Sequence, residues 1–439
     1  MSKHIIVEPG SLGCHNMGDV AMMQVAVERI MQFWPSAQVE IVTSRPDLLA
    51  RFCPSAKPIP AEERHAWLSA RDLAIGLRKK LPPSLSRLFL SLTRVVWLRL
   101  PRVIDLAVRI KARLLHREFT SPECFRRRLK SADCLVVSGM GVLNDAFADS
   151  AVALLDELEA ALEIGIPVVA FGQGVGPISD ILLVERARAV LLRLAFISLR
   201  EGYTGLPLLE ALGVPRDKVV VTGDDAIEMA FRYKPSSLGN EIGVSLRFAD
   251  YAGTNHETVG TLSGPLNEVA ETAKCSLIPI PISFGESDSD VRASEKLLGH
   301  ACRVSLEEVS GPEDVIRLIA SCRAVVTGSY HGGVFALAQG IPIIGLIQSP
   351  YYEQKFKGLE AQFPGGCRLL DLRTPLSSEE IRDNILSAFD SADKMRESLL
   401  AAAAKQIELG RETYRAAFRM VEKAHQSHEL REGSKEPGF

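Results

Sequence analysis

The stretch Ala324 to Leu346, "AVVTGSYHGGVFALAQGIPIIGL", decides the fold: it runs as strand, glycine turn, helix, turn, strand. A short continuous apolar run closed by glycine and followed by a helical pattern belongs to a parallel strand buried on both faces, with a crossover helix behind it. His331 falls at the mouth of that helix. The positive end of the helix dipole disfavours an imidazolium there, while the open backbone N–H groups welcome an oxyanion. A neutral imidazole in that place suits hydrogen bonding to a phosphate, or taking and returning a proton. A lone histidine is more often a satisfied structural residue, but Gly332, Gly333 and the strand-end location favour function here.

The same device recurs along the chain. "HIIVEPG", "QVEIVTS", "DCLVVSGMG", "PVVAFGQGVGP", "AFISLRE" and "KVVVTGD" mark six strands in the first half. After the polar segment 232–241, "IGVSLR", "CSLIPIPIS", "AVVTGS", "PIIGLI" and "CRLLDL" repeat the pattern. The expectation is an α/β protein of two Rossmann-like, doubly wound domains, residues 1–235 and 240–375, whose strand ends face a common cleft. Helices are expected over 376–426 and a disordered tail over 427–439.

At 439 residues and 46% hydrophobic content the chain can bury two cores, and a net charge of −3 gives no reason to expect nucleic acid. The eight cysteines, at 14, 53, 124, 134, 275, 302, 322 and 367, are scattered and often lie in apolar runs, as buried thiols of a reducing cytosol do. No cluster has metal-ligand spacing, so neither a metal nor a cofactor is expected. With no secretory leader and no apolar run of membrane-spanning length, the expected location is cytoplasmic. Residues 78–117 depart from the even charge pattern, with eleven Lys or Arg against Asp105 alone. Interleaved with "LFLSL", "VVWL" and "VIDLAVRI", they suit either an interfacial helix resting on anionic lipid or a solvated helical excursion.

Strand ends carry the candidate chemistry. "GSLGCHNMGD" turns through Gly10 and Gly13 and enters a helix near Asp19; Asn16 and Asp19 either hold an anion or sugar hydroxyl or cap the helix. "SGMGVLND" and "FGQGVGPIS" add two more glycine turns, and neither completes a dinucleotide fingerprint. Arg200 and Arg247 each follow an apolar strand, where a guanidinium can fork onto a carboxylate or phosphate or pair with Glu201, Asp224, Asp225 or Asp250. Asp224 and Asp225, in "TGDDAIEMAF", can take sugar hydroxyls or cap a helix.

Taken in order, "NMGD", "VSGMGVLND", "FGQGVGP", "SLRE", "GDDAIEMA", "GVSLR", "GSYHGGVFALAQGIP" and "YYEQKFKGL" resemble the polysaccharide pyruvyl transferases over most of residues 10–360. The resemblance implies a glycosyltransferase-B-like fold, phosphoenolpyruvate as donor, and transfer of pyruvate onto a sugar as a ketal. It further implies donor contacts from Arg200, Arg247, Ser329, Tyr330, Gly332 and Lys355. Acceptor contacts would come from Asn16, Gly18, Gly141, Asn144, Gln173, Asp224 and Asp225. His331 would transfer a proton or bind phosphate, and Asp19 or Asp145 would be the base. Ser329 stands where many members carry an arginine. The basic segment, an insertion of about residues 78–130, would fit an acceptor on a membrane lipid at the inner face. Two other readings stay open: a nucleotide-sugar glycosyltransferase of the same architecture, and a non-catalytic membrane-associated assembly protein. A homo-oligomer also stays open.

Overall fold

The computed structural model describes residues 2–68, 101–114, 119–246, 256–285, 290–291, 297 and 309–433. Arg247, most of the basic segment and Cys302 lie outside them. The first sheet contains β1 (His4–Glu8), β2 (Gln38–Thr43), β3 (Ala56–Pro60), β4 (Cys134–Val137), β5 (Met140–Leu143), β6 (Val168–Val175), β7 (Phe196–Leu199) and β8 (Val219–Val221). Its order is β3-β2-β1-β4-β6-β7-β8, with β5 paired to β6, and every pairing is parallel. The second sheet contains β9 (Glu241–Ser245), β10 (Leu277–Pro279), β11 (Cys322–Thr327), β12 (Ile343–Ile347) and β13 (Cys367–Asp371), all parallel, in the order β10-β9-β11-β12-β13. All eleven strands expected from the apolar runs are present. β3 and β5 were not expected: "AKPIP" carries two prolines, which only an edge strand tolerates, and "MGVL" is too short to stand out.

Each sheet reverses its order at one point, between β1 and β4 in the first and between β9 and β11 in the second. Ligands of open α/β sheets bind at such crevices, beyond the carboxyl ends of the strands. Here the two crevices meet. Met17 N donates to Ile282 O at 2.8 Å and Phe284 N to His15 O at 2.9 Å, tying the loop after β1 to the loop after β10. One apolar cluster spans both halves, joining Val20, Ile30 and Phe171 to Val334, Phe335 and Leu359. Separate clusters cover the outer faces of each sheet.

The C-terminal region is one helix, Ser378–Gly433, where several helices and a tail from 427 were expected. "SHELREG" contains no proline and continues the helical run to Gly433. The helix starts on the second sheet, burying Ile381, Ile385 and Phe389, and ends on the first. There Tyr414 stacks on Phe171 (3.6 Å between ring centres, 12° between planes) and Trp34 Nε1 donates to Glu422 at 2.9 Å. Among the described residues, no helix is long and apolar enough to cross a membrane, and no group of His, Cys, Asp and Glu is arranged to hold a metal ion.

Candidate active site

Asn16 begins the site from the first half. Its Oδ1 accepts from Gly18 N (3.0 Å) and Asp19 N (3.3 Å), so the residue caps the helix Met17–Phe33. That cap brings Gly18 under the second half: a Cβ on Gly18 would lie 2.0 Å from His331 Cγ, so only glycine admits the imidazole there. Asp19 faces Gly10, at the crevice between β1 and β4.

His331 is the second residue of the helix Tyr330–Ala338, at the end of β11. Its Nε2 stands 3.6 Å from Asp224 Oδ2, beyond the end of β8. Arg200 Nη1 approaches the same oxygen at 3.8 Å. Arg200 leaves β7 and runs between two glycines; a Cβ on Gly141 would come within 2.3 Å of its Nη2, and one on Gly174 within 2.8 Å of its Nε. The guanidinium rests on the Tyr330 ring at 4.3 Å, a cation–π contact. Lys355 Nζ lies 3.9 Å from the Tyr351 ring centre and 5.5 Å from that of Tyr330.

All of this is secluded: Arg200 is 2% exposed, Asp224 and Tyr330 3% and His331 6%. Burial works to raise the Asp224 carboxyl, but His331, Arg200 and the Ala226 N–H outweigh it and hold the group below the usual carboxylate range. Burial likewise opposes the charge on Arg200, and Tyr330, Asp224, Tyr351 and Asp19 together keep it protonated. Tyr330 is driven the other way: burial and the Asp224 charge push its phenol well up, so it stays a neutral donor.

Arg200 Nε, Tyr330 Oη, His331 Nε2, Asp224 Oδ2 and Ser245 Oγ are buried without a hydrogen-bond partner. His331 Nε2 and Asp224 Oδ2 face each other at 3.6 Å, so the crevice gathers polar atoms that the fold pairs only loosely, the kind of groups a polar ligand would engage. Beside them a small pocket is lined by Gly141, Asn144, Gly174, Arg200, Thr204, Tyr351, Gln354 and Lys355.

The residues singled out from the sequence do not all converge. Arg200, Asp224, Tyr330, His331, Lys355, Gly18 and Gly141 come together as described. Gly332 packs its Cα against Thr327 and Ser245, where a Cβ would meet the Thr327 hydroxyl at 2.7 Å. The Ser329 main chain is bound at both ends by Thr327 Oγ1, which donates to its carbonyl (2.8 Å) and accepts from its N–H (2.9 Å). Asn144 lines the pocket but uses its amide on Gly141 O and Phe147 N, and Gln173 donates to the carbonyls of Ser138 and Phe171. Two of the carboxylates make their hydrogen bonds elsewhere. Asp145 accepts from Ser179 N, Ser179 Oγ and Asp180 N, so its carboxylate braces a loop. Asp225 faces away from the crevice, taking Arg29 Nη1 (2.6 Å) and Tyr414 Oη (2.6 Å), so it is not available to an acceptor. Tyr351, Gln354 and Thr204 were missed; "YYEQK" puts Tyr351, Gln354 and Lys355 at i, i+3 and i+4, one face of a helix, and that spacing was the available signal.

Glycine turns at opposed strand ends, a buried arginine and a histidine at a helix mouth line the cleft between two Rossmann-like units. The family model for polysaccharide pyruvyl transferase matches residues 16–350, and the chain belongs to that family. No curated protein matches it. Among solved structures, a protein from Listeria monocytogenes described as a UDP-N-acetylglucosamine 2-epimerase superposes with a TM-score of 0.56 at 14% identity, covering 98% of both chains. The UDP-GlcNAc 2-epimerase of Neisseria meningitidis, bound to UDP-GlcNAc, gives 0.53 at 13%, over 96% of this chain and 100% of its own. A glycosyltransferase from Rickettsia africae gives 0.50 at 12%, over 96% and 98%. At these identities the likeness concerns the fold, which is the glycosyltransferase-B arrangement.

Proposed function

We propose that the protein transfers pyruvate from phosphoenolpyruvate onto a sugar of a cell-surface polysaccharide or of its lipid-linked precursor, as a ketal. The observation that carries this reading is the buried constellation of Arg200, Tyr330, His331 and Asp224, whose polar atoms the fold pairs only loosely. Phosphoenolpyruvate brings a carboxylate and a phosphate. Arg200, Lys355, Tyr330 Oη and the first N–H groups of the helix Tyr330–Ala338 supply the matching cations and donors. In this reading Arg200, carried over from β7 onto the Tyr330 ring, takes the place of the arginine that Ser329 lacks.

The reaction needs one acid and one base. A proton goes to the methylene carbon, and the first sugar hydroxyl adds to the cationic C2 and gives up its proton. The second hydroxyl then closes the ring as the C2–O bond to phosphate breaks, and its proton leaves with the phosphate or the base. His331, beside Asp224, is the proton-transfer group, and Asp19 or Asp145 is the base. Asn16, Gly18 and Gly141 border the space left for the acceptor.

The direct test is thermal stability with phosphoenolpyruvate, inorganic phosphate and a panel of nucleotide sugars. Phosphoenolpyruvate at about 100 times its dissociation constant should stabilise the fold by roughly 2.7 kcal/mol; stabilisation by a nucleotide sugar alone would replace this reading with the glycosyltransferase one. For the lipid-linked acceptor, the helix Pro101–Leu114 exposes Leu106, Ile110 and Leu114 beside Arg109 and Arg113, a face suited to anionic lipid at the inner side of the membrane. Cosedimentation with anionic but not neutral vesicles is expected, and equal sedimentation with both would refute it.

A further inference from the structure

Asp224 and Asp225 are neighbours with opposite fates. Asp224 turns into the crevice, toward His331 and Arg200. Asp225 turns outward into an ion network that the proposed chemistry does not use. Its Oδ1 takes Arg29 Nη1 and its Oδ2 takes Tyr414 Oη, each at 2.6 Å. One turn on, Glu228 receives Arg29 Nη2 (2.7 Å), Arg411 Nη2 (2.6 Å) and Arg232 Nη2 (3.0 Å).

This network is built for contact with the C-terminal helix. Residues 406, 410 and 414 share one helical face. Gln406 packs so close to Gly223 that a Cβ there would lie 2.3 Å from its Oε1, and Gly410 admits the Arg29 guanidinium, which a Cβ would meet at 3.1 Å. The Arg29 guanidinium also lies 4.7 Å from the Tyr414 ring centre. The turn Gly223–Asp225 is thus gripped from outside by two helices while its inner carboxylate faces the reacting groups.

We propose that Tyr414 and Arg29 are positioning residues for Asp224: by fixing Asp225 they set where the neighbouring carboxylate stands relative to His331 and Arg200. The proposal rests on the site reading given above. Asp224 Oδ1 already accepts from Ala226 N (2.9 Å), so one oxygen is set by its own turn. The other, Oδ2, has no hydrogen bond and keeps its 3.6 Å approach to His331 only while the turn holds its place. The charged and titratable groups around the pair are His331, Arg200 and Tyr330 on the inner side and Arg29, Tyr414 and Glu228 on the outer.

Tyr414→Phe keeps the ring stacked on Phe171 and removes the hydroxyl that meets Asp225 and Arg29; Arg29→Lys, as a second variant, keeps the charge and loses the fork. With melting temperature recorded alongside, each folded variant is expected to lose kcat by on the order of tenfold, with KM for phosphoenolpyruvate changed less than about twofold. Once Asp224 is further from His331 and Arg200, burial dominates and its carboxyl titrates higher, so the acid limb of the kcat profile moves to higher pH. Carbon-13 titration of the aspartate carboxyls, with Asp224 assigned through Asp224→Asn, reads the same displacement without turnover. Unchanged kcat and an unchanged Asp224 titration in the folded variants would overturn the proposal. If the unmodified protein moves no pyruvate from phosphoenolpyruvate, the pyruvyl reading falls, and the carbon-13 titration still decides this one.

Discussion

Replacing His331 with alanine is expected to lower kcat by about 10²–10⁴-fold, the usual contribution of a positioned proton-transfer group. The imidazole is held between Gly18, the Tyr330 ring (5.2 Å between centres) and Phe335 (6.3 Å), with its Nε2 directed at Asp224. Alanine removes the group and leaves Arg200 and Lys355 in place. Phosphoenolpyruvate should still bind and still raise the melting temperature, while phosphate release in the presence of acceptor falls. That split separates a chemical role from a binding one. A variant that loses both together would make His331 a phosphate ligand, and a variant with unchanged turnover would remove it from the mechanism.

The second large effect concerns a residue without a side chain. Alanine is the better helix former, so Gly18→Ala near the start of the Met17–Phe33 helix would, by propensity alone, stabilise the protein by roughly 1 kcal/mol. The new Cβ, however, would lie 2.0 Å from His331 Cγ and 2.1 Å from Nδ1, inside a buried ring on the opposite half. Overpacking of this kind costs about 1–3 kcal/mol, so the expected sign is a lower melting temperature. The displaced imidazole should also cost on the order of 10²-fold in kcat. Calorimetry and turnover on the same preparation check both, and a rise in melting temperature with full activity would contradict the packing of His331 on Gly18.

The strands were legible because parallel strands buried on both faces are written as uninterrupted apolar runs, several of them closed by a glycine turn. "AVVTGSYHGG" thus gave both β11 and the position of His331 at the helix mouth. β3 was illegible because an edge strand need not be apolar throughout, and "AKPIP" reads as loop. Within the site, residue types and strand ends were readable, but the direction of each side chain was not. The sequence presents Asp224 and Asp225 as a matched pair. What separates them is Arg29 and Tyr414, which come from opposite ends of the chain and meet only in the folded protein. Asp145 is a like case: the sequence does not show that Ser179 and Asp180 donate to its carboxylate. Contacts between distant segments leave no local periodicity from which they can be inferred.

The helix Ser378–Gly433 lays Tyr414 and Phe418 over Phe171 and Trp34, apolar residues of the first half. At roughly 5–20 residues per second, the first sheet waits tens of seconds in translation with that surface uncovered. A chain cut short before Tyr414 would leave that patch bare for the life of the product.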